Sequence, residues 1–386
     1  MGKLNLAVVA LGAALVIAGC GGGDSRRSAI SSVRVVGDSL SDSGTFAGVP
    51  GFGRIFSVQG PTAQNWVEKT AADFGVAGLC EVYKFTGTAF VANPIAGCTN
   101  YAIGGGRINN PASAGGVASP VSIVKQLQDA GATYSYSAKD LLLVDGGGND
   151  AADLIGAYLN AGKDGGASYA ALLSTVLSPA VVAANLATGP SGLAAAGGLY
   201  MAALADKLYD AIKANALDKG AVNVIVANMP AITSTPRFQM LLGAIAVAYG
   251  EGGNAASAQM EALFKSWLQT FNAQLSARAA GNLSVVVLDL YGTMSDWVAN
   301  PAKYGLTNVA TPACPPAGVG SDGLPSYNFQ SCTGDALSAL SPPAGSTGAA
   351  SWWKTYLFSD NFHPTPYGYQ LANELVARAL AQAGWI

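Results

Sequence analysis

Apolar runs that stop at glycine divide the chain into elements. Val33-Arg34-Val35-Val36 ends at Gly37-Asp38-Ser39. This predicts a buried strand, a tight turn with Ser39 at the strand's carboxyl end, and a helix starting behind it. Asn65 to Phe74 and Val121 to Ala130 carry helical periodicity. Asp140-Leu141-Leu142-Leu143-Val144-Asp145 is almost continuously apolar, as a central parallel strand requires, and stops at Gly146-Gly147-Gly148-Asn149-Asp150. Residues 151–220 are Ala-rich and read as helices broken at Gly165-Gly166, Gly189-Pro190 and Gly197-Gly198. The stretch is longer than a crossover needs, which makes part of it a candidate cover for a site. Val222 to Ala227 and Ser284 to Leu290 read as further strands. Ala255 to Ala280 is a long amphipathic helix with Met260, Leu263, Phe264, Trp267, Leu268, Phe271 and Leu275 toward the core, and Pro366 to Ala383 is a closing helix. Strands alternating with helices predict an α/β fold with a doubly wound, mostly parallel sheet. Ligands of such sheets bind beyond the carboxyl ends of the strands, where Ser39 stands.

Two irregular stretches carry cysteines. Residues 75–99 hold Cys80 and Cys98, and the Gly-, Pro-, Ser- and Thr-rich residues 307–350 hold Cys314 and Cys332. Four cysteines allow three pairings. The sequence-local pairs Cys80–Cys98 and Cys314–Cys332 are expected as disulfides, each closing a loop. A metal site is the rival reading, but no C-x₂-C spacing is present and no metal is expected. A fifth cysteine, Cys20, follows a short positive segment with Lys3 and an apolar run from Leu6 to Ala18. Ile17-Ala18-Gly19-Cys20 resembles a bacterial lipobox. It implies a signal peptide over 1–19, a diacylglyceryl group on Cys20, a flexible tether over 20–30 and a globular domain over 31–386. No Asp stands just after Cys20, which by the same resemblance points to an exported protein anchored in the bacterial outer membrane.

Composition narrows the function. Charged residues make up 11% of the 386 and the net charge is −3, so no basic surface for nucleic acid is available. Half the residues are hydrophobic, enough for a large core.

A serine hydroxyl needs a base within hydrogen-bond reach, and that base needs an orienting group. Imidazole titrates near neutral pH and suits the task. The chain has one histidine, His363, with Asp360 three residues before it. Trp352, Trp353, Tyr356 and Phe358, just upstream, read equally as lining of an acyl or aryl pocket and as core.

Four blocks in order resemble the GDSL, or SGNH, hydrolase family. They are Gly37-Asp38-Ser39-Leu40, Asn100-Tyr101-Ala102-Ile103-Gly104-Gly105, Gly147-Gly148-Asn149-Asp150 and Asp360-Asn361-Phe362-His363. Asn300-Pro301-Ala302-Lys303-Tyr304-Gly305-Leu306 is similar to a segment of the family's secreted esterase and lipase branch, which includes lecithinase-like enzymes. The resemblance covers about residues 31–386. It implies a three-layer α/β/α sandwich with an about five-stranded, flavodoxin-like sheet. It implies Ser39 as nucleophile, His363 as general base and then acid, and Asp360 as its orienting group. The oxyanion hole would be the Ser39 and Gly105 backbone N–H groups and the Asn149 side-chain amide. Asp38 and Asp42 would brace the turn. No cofactor is implied. The implied activity is hydrolysis of a small-molecule or lipid carboxylic ester through an acyl-enzyme. Phospholipase or acyltransferase activity, polysaccharide deacetylation and a non-catalytic surface binding lipoprotein are the alternatives. A single helix after the fourth block leads us to expect no C-terminal membrane barrel.

Overall fold

A computed structural model describes residues 30–76 and 78–386. The expected signal peptide, the Cys20 lipidation site and all but the last residue of the tether lie outside the described residues. The chain opens with β1 (Ser32–Val36) and α1 (Trp66–Asp73), followed by a hairpin of β2 (Tyr83–Phe85) and β3 (Phe90–Ala92). Next come α2 (Ile123–Thr133), β4 (Asp140–Val144), α3 (Gly148–Asp164), α4 (Ala167–Leu173), α5 (Pro179–Leu186) and α6 (Pro190–Asn215). β5 (Val224–Ala227), α7 (Pro236–Tyr249), α8 (Gly253–Ala279), β6 (Val285–Leu288) and α9 (Leu290–Ala299) follow. α10 (Gly334–Ala339) and α11 (Pro366–Gln382) complete the chain.

The central sheet is parallel, in the order β1-β4-β5-β6, with Val33 opposite Leu141, Leu143 opposite Ile225 and Ile225 opposite Val286. The expected fifth strand is reduced to one parallel bridge outside β1. There Val35 donates its N–H to the Thr99 carbonyl at 3.0 Å and accepts the Tyr101 N–H at 2.8 Å. Side-chain alternation sorts the strand residues onto two faces. Val36, Leu142, Val144, Val224 and Val226 meet α2, α3, α6 and α8 on one face. Val33, Val35, Leu141, Leu143, Ile225 and Ala227 meet α1, α9 and α11 on the other. The result is the three-layer α/β/α architecture, and both faces of the sheet are dry.

Three local expectations are corrected. No helix follows Ser39. After one turn, in which Ser41 and Asp42 N–H groups donate to the Asp38 carbonyl, the Asp42 carboxylate takes the Gly44 and Thr45 N–H groups and draws the chain away. Of the expected breaks in 151–220, that at Gly197-Gly198 does not occur, because α6 runs through it. Gly197 serves packing: a Cβ there would lie 2.3 Å from the Trp267 indole of α8. And α4 and α5 pack against α3 and α6 in the apolar layer on one side of the sheet, so the 151–220 stretch is not a cover for the carboxyl edge. The amphipathic reading of α8 holds, with Phe264, Trp267, Leu268, Phe271 and Leu275 buried.

Both expected disulfides are present, Cys80–Cys98 and Cys314–Cys332. The first encloses the β2–β3 hairpin. The second ties the 315–331 loop to the segment before Asp360, since the Cys314 N–H donates to the Ser359 carbonyl at 2.7 Å.

Candidate active site

β1 ends where the chain must pass close to β4. A Cβ on Gly37 would fall 1.7 Å from Asp145 Oδ1, so only glycine fits beside that carboxyl. The next residues form the one-turn bend, and Leu40 N–H donates to Asp38 Oδ1 at 3.0 Å. Ser39 is thereby held at the carboxyl edge of the sheet, 6% exposed. His363 arrives from the far end of the chain. Its Nε2 is 2.8 Å from Ser39 Oγ and its Nδ1 is 2.9 Å from Asp360 Oδ2. The other Asp360 oxygen accepts the backbone N–H groups of Phe362 and His363, which fixes the carboxylate within its own turn.

Burial works to raise the Asp360 pKa. The facing His363 ring and these hydrogen bonds overcome it and hold the carboxyl below its ordinary range. An ionised carboxylate only accepts, so the imidazole proton resides on Nδ1. Nε2 is left as an acceptor, and the Ser39 hydroxyl donates to it.

The glycine loop after Asn100 closes the other side. Gly104 N–H donates to Asp42 Oδ2 at 2.8 Å and Gly106 N–H to the Ile103 carbonyl at 2.9 Å. The N–H between them, on Gly105, donates to no acceptor among the described residues, and neither does that of Ser39. Gly105 has φ +79°, a left-handed conformation that glycine adopts without strain. Asn149, in the first turn of α3, donates one Nδ2–H to the Gly106 carbonyl at 3.0 Å and keeps a second.

Arg107 ties these two segments together, a role the sequence did not signal. Its Nη1 donates to the Gly105 carbonyl at 2.7 Å, while Nε and Nη2 grip Asp153 of α3 at 2.6 and 3.1 Å. Asp150 adds a second tie, accepting the Ile108 and Asn109 N–H groups at 3.0 and 2.7 Å. Burial pushes Asp150 up to about 6 and, against three backbone N–H donors, Asp42 likewise to about 6. Behind Ser39, burial and then the Asp38 charge raise Asp145 well above the ordinary range. Its Oδ1 accepts the Ser41 hydroxyl at 2.6 Å, while its buried Oδ2 has no hydrogen-bond partner among the described residues.

Ser39, Gly105, Asn149, Asp360 and His363 all line one cleft of about 440 Å³. From the 151–220 stretch, only Ala152 and Asp153 reach it. Of the two readings of the aromatic segment, the core one holds. Trp352, Trp353 and Tyr356 pack in a small core with Cys314 and Cys332, and Phe358 is buried against the sheet. Phe56, Phe329 and Phe362 surround His363 instead, with ring centroids 5.2, 5.8 and 5.7 Å from the imidazole. Phe56 and Phe329 are distant in sequence and gave no local signal. Among the described residues no group of three or more His, Cys, Asp or Glu side chains is placed to hold a metal ion.

A parallel sheet between two helical layers, with a Ser–His–Asp arrangement at its carboxyl edge, places the chain among the α/β/α proteins of SGNH type. The chain belongs to the GDSL-like lipase/acylhydrolase family, whose profile matches residues 33–376. It is similar to a GDSL esterase/lipase, APG, of Arabidopsis thaliana, with 29% identity over 172 residues. That match covers 43% of this chain and spans 40% of the relative's length.

Proposed function

We propose that the protein hydrolyses carboxylic esters through an acyl-enzyme on Ser39. The observation that carries this reading is the continuous contact from Ser39 Oγ to His363 Nε2, and from Nδ1 to Asp360, at 2.8 and 2.9 Å. Family membership supports it. Ser39 Oγ attacks the ester carbonyl as Nε2 takes its proton, and Asp360 stabilises the imidazolium. Charge moves to the carbonyl oxygen, within reach of the Ser39 and Gly105 N–H groups and the second Asn149 N–H. Donors that need no rearrangement act mainly on that transition state. The imidazolium then protonates the departing alcohol, and a water repeats the sequence to release the acid. The substrate is a small-molecule or lipid ester.

A fluorophosphonate probe distinguishes this from a binding protein on the same fold. The wild type is expected to take one covalent label at Ser39. Ser39→Ala is expected to take none and to lose ester turnover by about 10⁴-fold or more. Labelling elsewhere, or a variant that keeps about a tenth of the rate, would refute the assignment.

Export and lipid anchoring at Cys20 belong to the same proposal. They are supported by the apolar run that ends at Ile17-Ala18-Gly19-Cys20. Cys20→Ser is expected to move the protein from the membrane fraction to the soluble fraction on detergent-free fractionation. Persistent membrane association would sink the anchor.

A further inference from the structure

Six phenylalanines form a continuous wall outside the three apolar clusters of the core. The wall begins at His363, where Phe56 lies 5.2 Å away with its ring inclined 33° to the imidazole. Phe329 packs on Phe56 at 5.6 Å. On the outer side, Phe46 and Phe52 follow at 5.9 and 6.3 Å from Phe56. Phe46 in turn contacts Phe85 and Phe90 of the hairpin at 5.4 and 6.0 Å. The wall also lies on the glycine loop: a Cβ on Gly104 would fall 2.3 Å from Phe56 and 3.0 Å from Phe46.

A satellite core under a loop would bury these rings. Instead Phe52 is 37% exposed, and Phe46, Phe56, Phe85 and Phe90 are each partly exposed, with Phe329 alone buried. Contiguous exposed apolar surface of this kind marks a binding surface. Here one end of it touches the imidazole and the peptide next to Gly105. A separate apolar pocket behind Leu40 and Phe362 offers only about 50 Å³ and does not provide an equivalent track.

We infer that this wall is the binding track for the apolar arm of the ester, hydrocarbon or aryl, and sets the preference for long over short substrates. The inference rests on the ester-hydrolase reading above. A chain laid along the rings leaves water one methylene at a time. Each methylene is worth up to about fourfold in kcat/KM until the track ends at the hairpin. Whether the arm belongs to the acyl or the alcohol half is a matter of which half faces the rings, and two substrate series separate these.

The test measures kcat/KM for p-nitrophenyl esters from acetate to dodecanoate, and for acetate esters of alcohols of rising length. One series is expected to rise with length in the wild type. Phe46→Ala and Phe90→Ala are each expected to lower the octanoate-to-acetate ratio, or its alcohol-side equivalent, about tenfold or more. Phe46→Leu is expected to recover most of it. Thermal unfolding midpoints check that the variants are folded, and Phe90, on the hairpin, serves if Phe46→Ala does not fold. Calorimetric binding of the long ester to Ser39→Ala protein reads the track without turnover. Chain-length-dependent affinity that Phe46→Ala abolishes supports the inference even if Ser39 proves not to be the nucleophile. A ratio unchanged within about twofold in both alanine variants overturns it. So does a ratio that is unchanged while the variants lose adsorption to phosphatidylcholine vesicles, which would make the wall a membrane-docking surface.

Discussion

The residues around Ser39 divide into those that would meet the reacting atoms and those that hold them in place. In the function proposed above, Asn149 is of the first kind. Asn149→Ala is expected to lower kcat by about 10²–10³ with little change in KM, the signature of a donor that acts in the transition state. Arg107 is of the second kind. It bonds the Gly105 carbonyl and grips Asp153 one turn beyond Asn149, so it holds the glycine loop to α3. Arg107→Met is expected to cost about ten- to hundredfold in kcat, the range for a charge-assisted hydrogen bond, and less than Asn149→Ala. Steady-state kinetics on one soluble ester settle both, and a change confined to KM would assign these side chains to substrate binding. The buried acids have a similar supporting character. Asp42 holds the Ser39 bend to the glycine loop through Gly44, Thr45 and Gly104, which extends the bracing expected from sequence to a second segment.

At the level of elements, the loops carry the site and the two disulfides hold the loops. The 315–331 segment supplies Tyr327 and Phe329 to the cleft. Tyr327 donates its hydroxyl to Asn361 Oδ1 at 2.7 Å, and Asn361 Nδ2 donates to the Pro325 carbonyl at 2.8 Å. With Cys314 bonded to Ser359, the bridged loop braces the turn of Asp360 and His363 from both sides. The Cys314→Ser/Cys332→Ser double variant is expected to lose about 2–4 kcal/mol of stability. Its turnover loss at a temperature where it remains folded is expected to exceed that of Cys80→Ser/Cys98→Ser. Denaturant titration and kinetics check this, and equal losses in the two double variants would show that the second bridge does not support the site in particular. The helices on the opposite face work differently. α6 and α8 meet closely because Gly197 leaves room for Trp267, and Trp267 Nε1 donates to the Ala194 carbonyl at 2.8 Å.

For the whole molecule, the buried acids make stability depend on pH. Asp38, Asp42, Asp145 and Asp150 have folded-state pKa values raised by burial, Asp42 and Asp150 to about 6. Protonation therefore favours the folded state. The contribution of Asp42 and Asp150 is full below the ordinary carboxyl range and is lost as pH rises through about 6. Asp360 has the opposite sign, and its contribution is lost only as pH falls below that range. Thermal unfolding is expected to be higher at about pH 5 than at about pH 7.5, by roughly 1 kcal/mol for each of Asp42 and Asp150. A midpoint that is flat or higher at about pH 7.5 would refute this. Asp42→Asn is expected to reduce the difference.

Much of the architecture was legible in the sequence because it is written in local periods. Near-continuous apolar runs in Val33–Val36, Leu141–Val144 and Val224–Ala227 specify strands buried on both faces. Glycine at 37 and at 146–148 marks where they stop, and cysteines eighteen residues apart pair within their own loops. The four short blocks named Ser39, Gly105, Asn149, Asp360 and His363, which all line the cleft. The sequence alone did not determine what approaches those residues from elsewhere. Ser39 and His363 are 324 positions apart, and only the sheet order and the packing of α11 bring them within 2.8 Å. The same holds for Phe56 beside His363, Arg107 on Asp153, and Asp145 facing Asp38. The aromatic run at 352–358 and the glycines at 197–198 show the converse. Each has a local pattern that suggests a pocket wall or a helix break, and each is claimed by packing, against the Cys314–Cys332 bridge in one case and Trp267 in the other. Local spacing fixes backbone conformation and which face is apolar. Which distant segment fills that face depends on the whole chain's closure, and that was decided only by the tertiary structure.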